Sequence, residues 1–105
     1  MYETKGDIWL RKHNIPNDAL DKVYPDSFDV HSMRDIQILL AYGIEFYVVF
    51  RGREYFLSPC PDTYQVMTGR GYCYETDDLD DFGENARIGE NGEFYLKDVI
   101  DELEF

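Results

Sequence analysis

Ile44-Glu45-Phe46-Tyr47-Val48-Val49-Phe50-Arg51-Gly52-Arg53-Glu54-Tyr55-Phe56-Leu57 decides the fold class. Its two runs are rich in β-branched and aromatic residues, the side chains that fill a pleated surface. Arg51-Gly52 between them is short enough to turn one strand back on the other, so the stretch reads as a β-hairpin. Beyond it, Ser58-Pro59-Cys60-Pro61-Asp62 reads as a loop, because two prolines in three residues remove ladder donors. Thr63–Met67 reads as a third strand, Thr68-Gly69-Arg70-Gly71 as a glycine-rich turn, and Tyr72-Cys73-Tyr74-Glu75 as a fourth strand. Two successive hairpins predict a four-stranded antiparallel meander with one face on helices and the other partly wet.

Upstream the period changes to that of short helices. Ser32 followed by Asp35 has the pattern of a capping box with Asp in place of Glu, and Met33, Ile36, Leu39 and Leu40 then recur at three- and four-residue spacing up to Gly43. A strand in part of this stretch is the alternative, given Ile36 and Ile38. Asp18–Tyr24 is a second helix with Asn17 as its cap, closed by Pro25, and Asp7–His13 is a brief first one. Downstream, Thr76 is placed to cap a helix through Phe82, Asn91-Gly92 signals a turn, and Leu96, Val99, Ile100 and Leu103 recur at helical spacing. The 105 residues therefore predict a single α+β domain, with the meander packed by short helices and an acidic, helical C-terminal third.

Charge carries what the sequence says about function. The chain holds 22 acids and 10 bases, a net charge of −12. From Glu75 to Phe105 there are twelve acids against Arg87 and Lys97, a balance of −10, so the first 74 residues carry only −2. Direct binding of DNA or RNA is disfavoured, because it needs cations to displace phosphate counterions. Adsorption to an anionic membrane is disfavoured likewise. No apolar run reaches the ~18 residues of a membrane span, and Met1–Asp7 does not read as a leader, which predicts a cytoplasmic location.

Concentrated like charge repels itself, and a cationic partner is one way to offset the repulsion. Carboxylates three or four residues apart on a helix stand ~5–6 Å apart at Cβ, comparable with neighbouring phosphates on a nucleic-acid strand. Asp77, Asp80, Asp81 and Glu84 form one such row, with Asp78 beside it, and Asp98, Asp101 and Glu102 form a second. These eight are the candidate partner-binding residues, as phosphate surrogates with Phe82, Phe94, Tyr95 and Phe105 interleaved as anchors. On this reading, reversing Asp80 and Asp81 weakens binding far more than folding. A solvated, solubilising face is the plain alternative.

No other chemistry competes. Asp78-Leu79-Asp80-Asp81-Phe82-Gly83 aligns with the start of an EF-hand loop, but Phe82 stands at the fifth position and Gly89 at the twelfth, where oxygen ligands belong. Cys60 and Cys73 make no CxxC pair and His13 and His31 lie far from them, so neither a metal nor a cofactor is expected, and the thiols are expected reduced. Arg51, Arg53 and Arg70 gather at the hairpin turns, where they are solvated, bind an anion, or neutralise the acidic third. No catalytic motif is present with supporting context, which predicts a non-enzyme.

In the acidic stretch Glu75–Glu104, on a short α+β chain with nine Tyr and seven Phe, the protein resembles small phage and mobile-element proteins. Among these it is similar to acidic inhibitors of the DNA-mimic type: anti-restriction, uracil-DNA-glycosylase-inhibiting and anti-CRISPR proteins. The resemblance is compositional, covers the last third, and carries over no individual residue role. It implies an inhibitor that binds a basic nucleic-acid-processing protein, for example a CRISPR nuclease, and blocks its nucleic-acid site. The alternatives are an immunity protein or antitoxin neutralising a basic toxin, and an accessory module that assembles through its sheet edge or aromatic face.

Overall fold

A computed structural model describes residues 3–60, 63–69 and 71–105, without the side chains of Cys60 and Tyr72. The expectations resting on Met1 and Tyr2, the Cys60 thiol, Pro61-Asp62 and Arg70 lie outside that description.

The hairpin at Arg51-Gly52 forms as expected. Strand β1 (Phe46–Phe50) pairs antiparallel with β2 (Arg53–Cys60), Phe50 opposite Arg53. Both turn residues have positive φ, 51° at Arg51 and 78° at Gly52, as a two-residue hairpin turn that follows the sheet's twist requires. β3 (Thr63–Thr68) and β4 (Gly71–Thr76) continue the meander in the order β1-β2-β3-β4. The register shifts between Val66 and Met67, whose partners are Tyr74 and Tyr72, so Cys73 is the extra residue of a bulge.

One correction falls on Ser58-Pro59-Cys60, expected in a loop but part of β2. β1 stops pairing at Leu57, so beyond it β2 has a neighbour only in β3, and Pro59 opposite Tyr64 sits on a one-sided stretch. There the missing N–H need not break a ladder bond.

The inward face carries Phe46, Val48, Phe50, Tyr55, Leu57 and Val66, all buried. Against it lies α3 (Met33–Ala41), whose Ile36, Leu39 and Leu40 are fully covered. Ser32 caps α3 by accepting from the Asp35 N–H, but the Asp35 carboxylate reaches back to the His31 N–H, so the reciprocal half of the expected box is displaced by one residue. At the other end Gly43 (φ 81°) donates to Leu40 O and Ile44 to Leu39 O, a Schellman closure that only a left-handed residue completes without strain.

Helices α1 (Lys5–Lys12) and α2 (Ala19–Val23) pack on α3. Thr4 and Asp7 make a complete capping box at α1. Gly6 allows the closest approach in the core: a Cβ there would stand 2.0 Å from the Ala41 carbonyl oxygen. Helix α4 (Leu79–Asn85) also packs on α3, joined to it by a buried hydrogen bond from Gln37 Nε2 to Leu79 O (2.9 Å).

Two expectations for the last third change. α4 starts three residues after Thr76 and is capped by Asp78, whose Oδ1 accepts from the Asp80 N–H (2.9 Å), while Thr76 Oγ1 accepts from the Asp78 N–H. The helix expected over Leu96–Leu103 is two 3₁₀ turns, Leu96–Asp98 and Ile100–Glu102, divided at Val99. The tail has to become extended immediately afterwards, because Glu104 exchanges two backbone hydrogen bonds with Val49 on the outer edge of β1 (2.8 and 2.9 Å). A turn of α-helix ending there would carry the chain past that edge. Between α4 and the 3₁₀ turns, β5 (Arg87–Ile88) and β6 (Phe94–Tyr95) pair around Asn91-Gly92.

Candidate interaction surface

The helices and the tail decide what each of the twelve acids of residues 75–105 can do. Ten are exposed, and Asp80 and Asp81 are half-buried. α4 packs against Leu96–Asp98, so the two sets of candidate residues belong to neighbouring segments.

Asp80 is the most heavily used. Its carboxylate accepts from Trp9 Nε1 (2.9 Å), faces His13 Nε2 at 2.7 Å, and pairs with the Lys12 ammonium. All three partners belong to α1 or its cap, so Asp80 ties α1 to the start of α4. The Lys12 ammonium above all, then the Trp9 N–H and His13, hold the Asp80 carboxyl down to about 2, against the opposing effect of partial burial. In return the carboxylate raises the Lys12 ammonium above its ordinary value. The Trp9 bond matters most for the fold: the indole is 4% exposed, and its N–H has to find an acceptor there.

Asp81 faces the sheet. It accepts from the Tyr74 hydroxyl (2.5 Å) and from Asn85 Nδ2 (2.8 Å), and these bonds keep its carboxyl below the usual range. The Tyr74 hydroxyl is pushed up to about 12, first by desolvation and then by its bond to Asp81. Asp80 and Asp81 thus belong to the architecture as well as to the charge, and reversing either breaks internal bonds.

The remaining candidates lie at the surface. Asp77 is 3.9 Å from Lys5, Glu84 is 3.1 Å from Lys97, and Glu102 is 3.2 Å from Arg51. Asp78 caps α4. Asp98 and Asp101 are exposed, with no hydrogen-bond or ion-pair partner for their carboxylates among the described residues.

Two of the hairpin arginines, Arg51 and Arg53, prove to be partners of this region. Arg51 reaches Glu102 and Arg53 reaches Glu90 (3.2 Å each). With Lys5 and Lys12, four cations among the described residues of the first 74 are drawn onto acids of the last 31, so part of the offset the acidic third requires is internal. Apart from that of the half-buried Asp80, these contacts are exposed, and such pairs contribute ~0–1 kcal/mol each. They leave the carboxylates open to exchange with a partner's cations.

Sequence reading missed the aromatic seats beneath these charges. Arg51 lies over Phe50 and Phe94 (5.0 and 4.5 Å to the ring centroids), Arg87 over Tyr95 (4.0 Å) and Arg34 over Trp9 (5.2 Å). Apart from Arg51 on its neighbour Phe50, these pairings join segments far apart in the chain or across a turn, so no spacing signal announces them. Phe82 is fully buried and is a core residue, while Tyr95 and Phe105 remain exposed.

Among the described residues no group of three or more His, Cys, Asp or Glu is placed to hold a metal ion, and no helix is long and apolar enough to cross a membrane. Cys73 is a free, half-buried thiol donating to Gly89 O, and desolvation pushes it up. Compared with family models, curated proteins and solved structures, the chain matches none. What geometry and chemistry define is an α+β protein whose C-terminal third packs α4 on α3, joins its tail to the edge of β1 and displays ten of its twelve carboxylates outward.

Proposed function

We propose that the protein is a non-enzymatic inhibitor that docks its acidic C-terminal third on the cationic nucleic-acid site of a nucleic-acid-processing protein, a CRISPR nuclease being one such target. One observation carries the reading: ten of the twelve acids in residues 75–105 stay exposed after the chain has supplied its own cations. A fold that needed carboxylates only for internal bonds would use them as it uses Asp80 and Asp81. Asp77, Asp78, Glu84, Asp98, Asp101 and Glu102 form the docking set. Asp98 and Asp101 lead it, since binding them displaces no internal partner. Surface complementarity of this kind accelerates encounter and makes affinity fall steeply with salt.

The test is capture of bacterial lysate proteins on the immobilised chain at low salt, eluted either by a salt gradient or by added duplex DNA or RNA. Recovery of a DNA- or RNA-handling protein that nucleic acid displaces supports the proposal. Partners that resist nucleic acid point to an immunity protein or antitoxin, and retention of nothing by the acidic surface returns the charge to solubility.

A further inference from the structure

The open face of the sheet holds an aromatic site that the acidic third does not use. Tyr47 on β1 pairs directly with Phe56 on β2, and Phe56 with Met67 on β3, so the three lie in one row across neighbouring strands. Tyr47 is 57% exposed, and its ring centroid is 4.7 Å from that of Phe56. Glu54 is two residues before Phe56 and therefore on the same face. Its carboxylate is exposed and has no hydrogen-bond or ion-pair partner among the described residues. Tyr47, Glu54, Phe56, Met67, Thr68 and Gly69 line a groove of about 330 Å³.

The protein shows elsewhere what such a combination holds. At the hairpin turn, two aromatic rings and one carboxylate (Phe50, Phe94 and Glu102) receive the Arg51 guanidinium, stacked on the rings and bonded at 3.2 Å to the acid. Tyr47, Phe56 and Glu54 repeat those components on the open face. No arginine or lysine among the described residues lies against either ring. A planar, weakly hydrated guanidinium suits both parts of the site, stacking on an aromatic face while donating to a carboxylate.

We propose that this groove binds an arginine side chain of a partner protein, with the guanidinium over the Tyr47–Phe56 pair and donating to Glu54, and the aliphatic stem against Met67. The proposal deepens the reading above, since it rests on the partner being cationic, and it adds an aromatic anchor on a second face.

The test is an NMR titration of the full chain with N-acetyl-arginine amide, using the uncharged, near-isosteric N-acetyl-citrulline amide as control. The arginine compound is expected to shift the ring resonances of Tyr47 and Phe56 saturably, and citrulline is not. Glu54→Gln and Tyr47→Ala, both at exposed positions that leave the core intact, should each weaken binding about two- to fivefold. Asp98→Lys/Asp101→Lys should leave the sheet shifts unchanged. Equal shifts with citrulline, or arginine shifts confined to residues 75–105, would overturn the site. The probe needs no partner, so that result leaves the acidic docking surface standing. Failure of the lysate capture, conversely, leaves the titration result as it is.

Discussion

Replacing Asp80 by Asn tests whether one carboxylate holds α1 to α4. The substitution keeps an acceptor oxygen for the Trp9 indole and removes the charge that faces Lys12 and His13. The folded carboxyl sits at about 2 against an ordinary 3.8, which at ~1.4 kcal/mol per tenfold change corresponds to at most about 2–3 kcal/mol of stability. The Asp80 side chain is 36% exposed and that of Lys12 is 62% exposed, so solvent screening reduces the realised value to about 1 kcal/mol. For a chain of this size that lowers Tm by roughly 5 °C. The sign follows from the direction of the shift. A depressed folded pKa gives stability that is fully present above the unfolded value near 4 and lost as pH falls through about 2. Urea unfolding followed by fluorescence of the single tryptophan, which is itself a partner of Asp80, measures the difference at each pH. The wild type should exceed Asp80→Asn by about 1 kcal/mol at pH 6, and the gap should close towards pH 2. A gap that is absent at pH 6, or equally wide at pH 2, would refute the assignment. Asp80→Ala should cost a further ~1–3 kcal/mol, because it leaves the buried indole N–H without its acceptor.

Other consequences are open to direct measurement. Gly6→Ala should destabilise by about 2 kcal/mol in denaturant unfolding despite alanine's better helix propensity, because the new Cβ meets the Ala41 backbone and no side chain there can yield. Tyr74 stays protonated up to about 12 when folded, so stability should fall as pH rises from the ordinary tyrosine range near 10 towards 12, and Tyr74→Phe should remove that part of the alkaline loss. In a Cys60→Ser background, Cys73 should react with iodoacetamide at neutral pH more slowly than a free cysteine, because burial disfavours its thiolate.

The fold was legible where local chemistry and tertiary need agree. Arg51-Gly52 between two aromatic, β-branched runs is a hairpin by composition and by turn geometry alike, and Gly43 closes α3 as its position announces. Reading failed where a distant contact overrode the local pattern. Pro59 joins a strand because β1 is too short to flank it, and 96–103 winds into 3₁₀ turns because Glu104 is claimed by Val49. The candidate surface divides in the same way. Segregation of charge is visible in sequence, but which acids are committed internally depends on α1 lying beside α4 and on Tyr74 facing Asp81, and neither is a matter of spacing. That division moves the binding test from Asp80 and Asp81 to Asp98 and Asp101, which carry charge without internal bonds.

The most direct measurement is therefore lysate capture with the wild type and with Asp98→Lys/Asp101→Lys in parallel, after circular dichroism and urea unfolding have shown the two equally folded. The wild type should retain a nucleic-acid-handling protein that DNA or RNA displaces and that elutes at moderate salt, and the double variant should release it at much lower salt or not bind it. Equal retention by both, or retention indifferent to salt and nucleic acid, would contradict the claim that the acidic third is the docking surface.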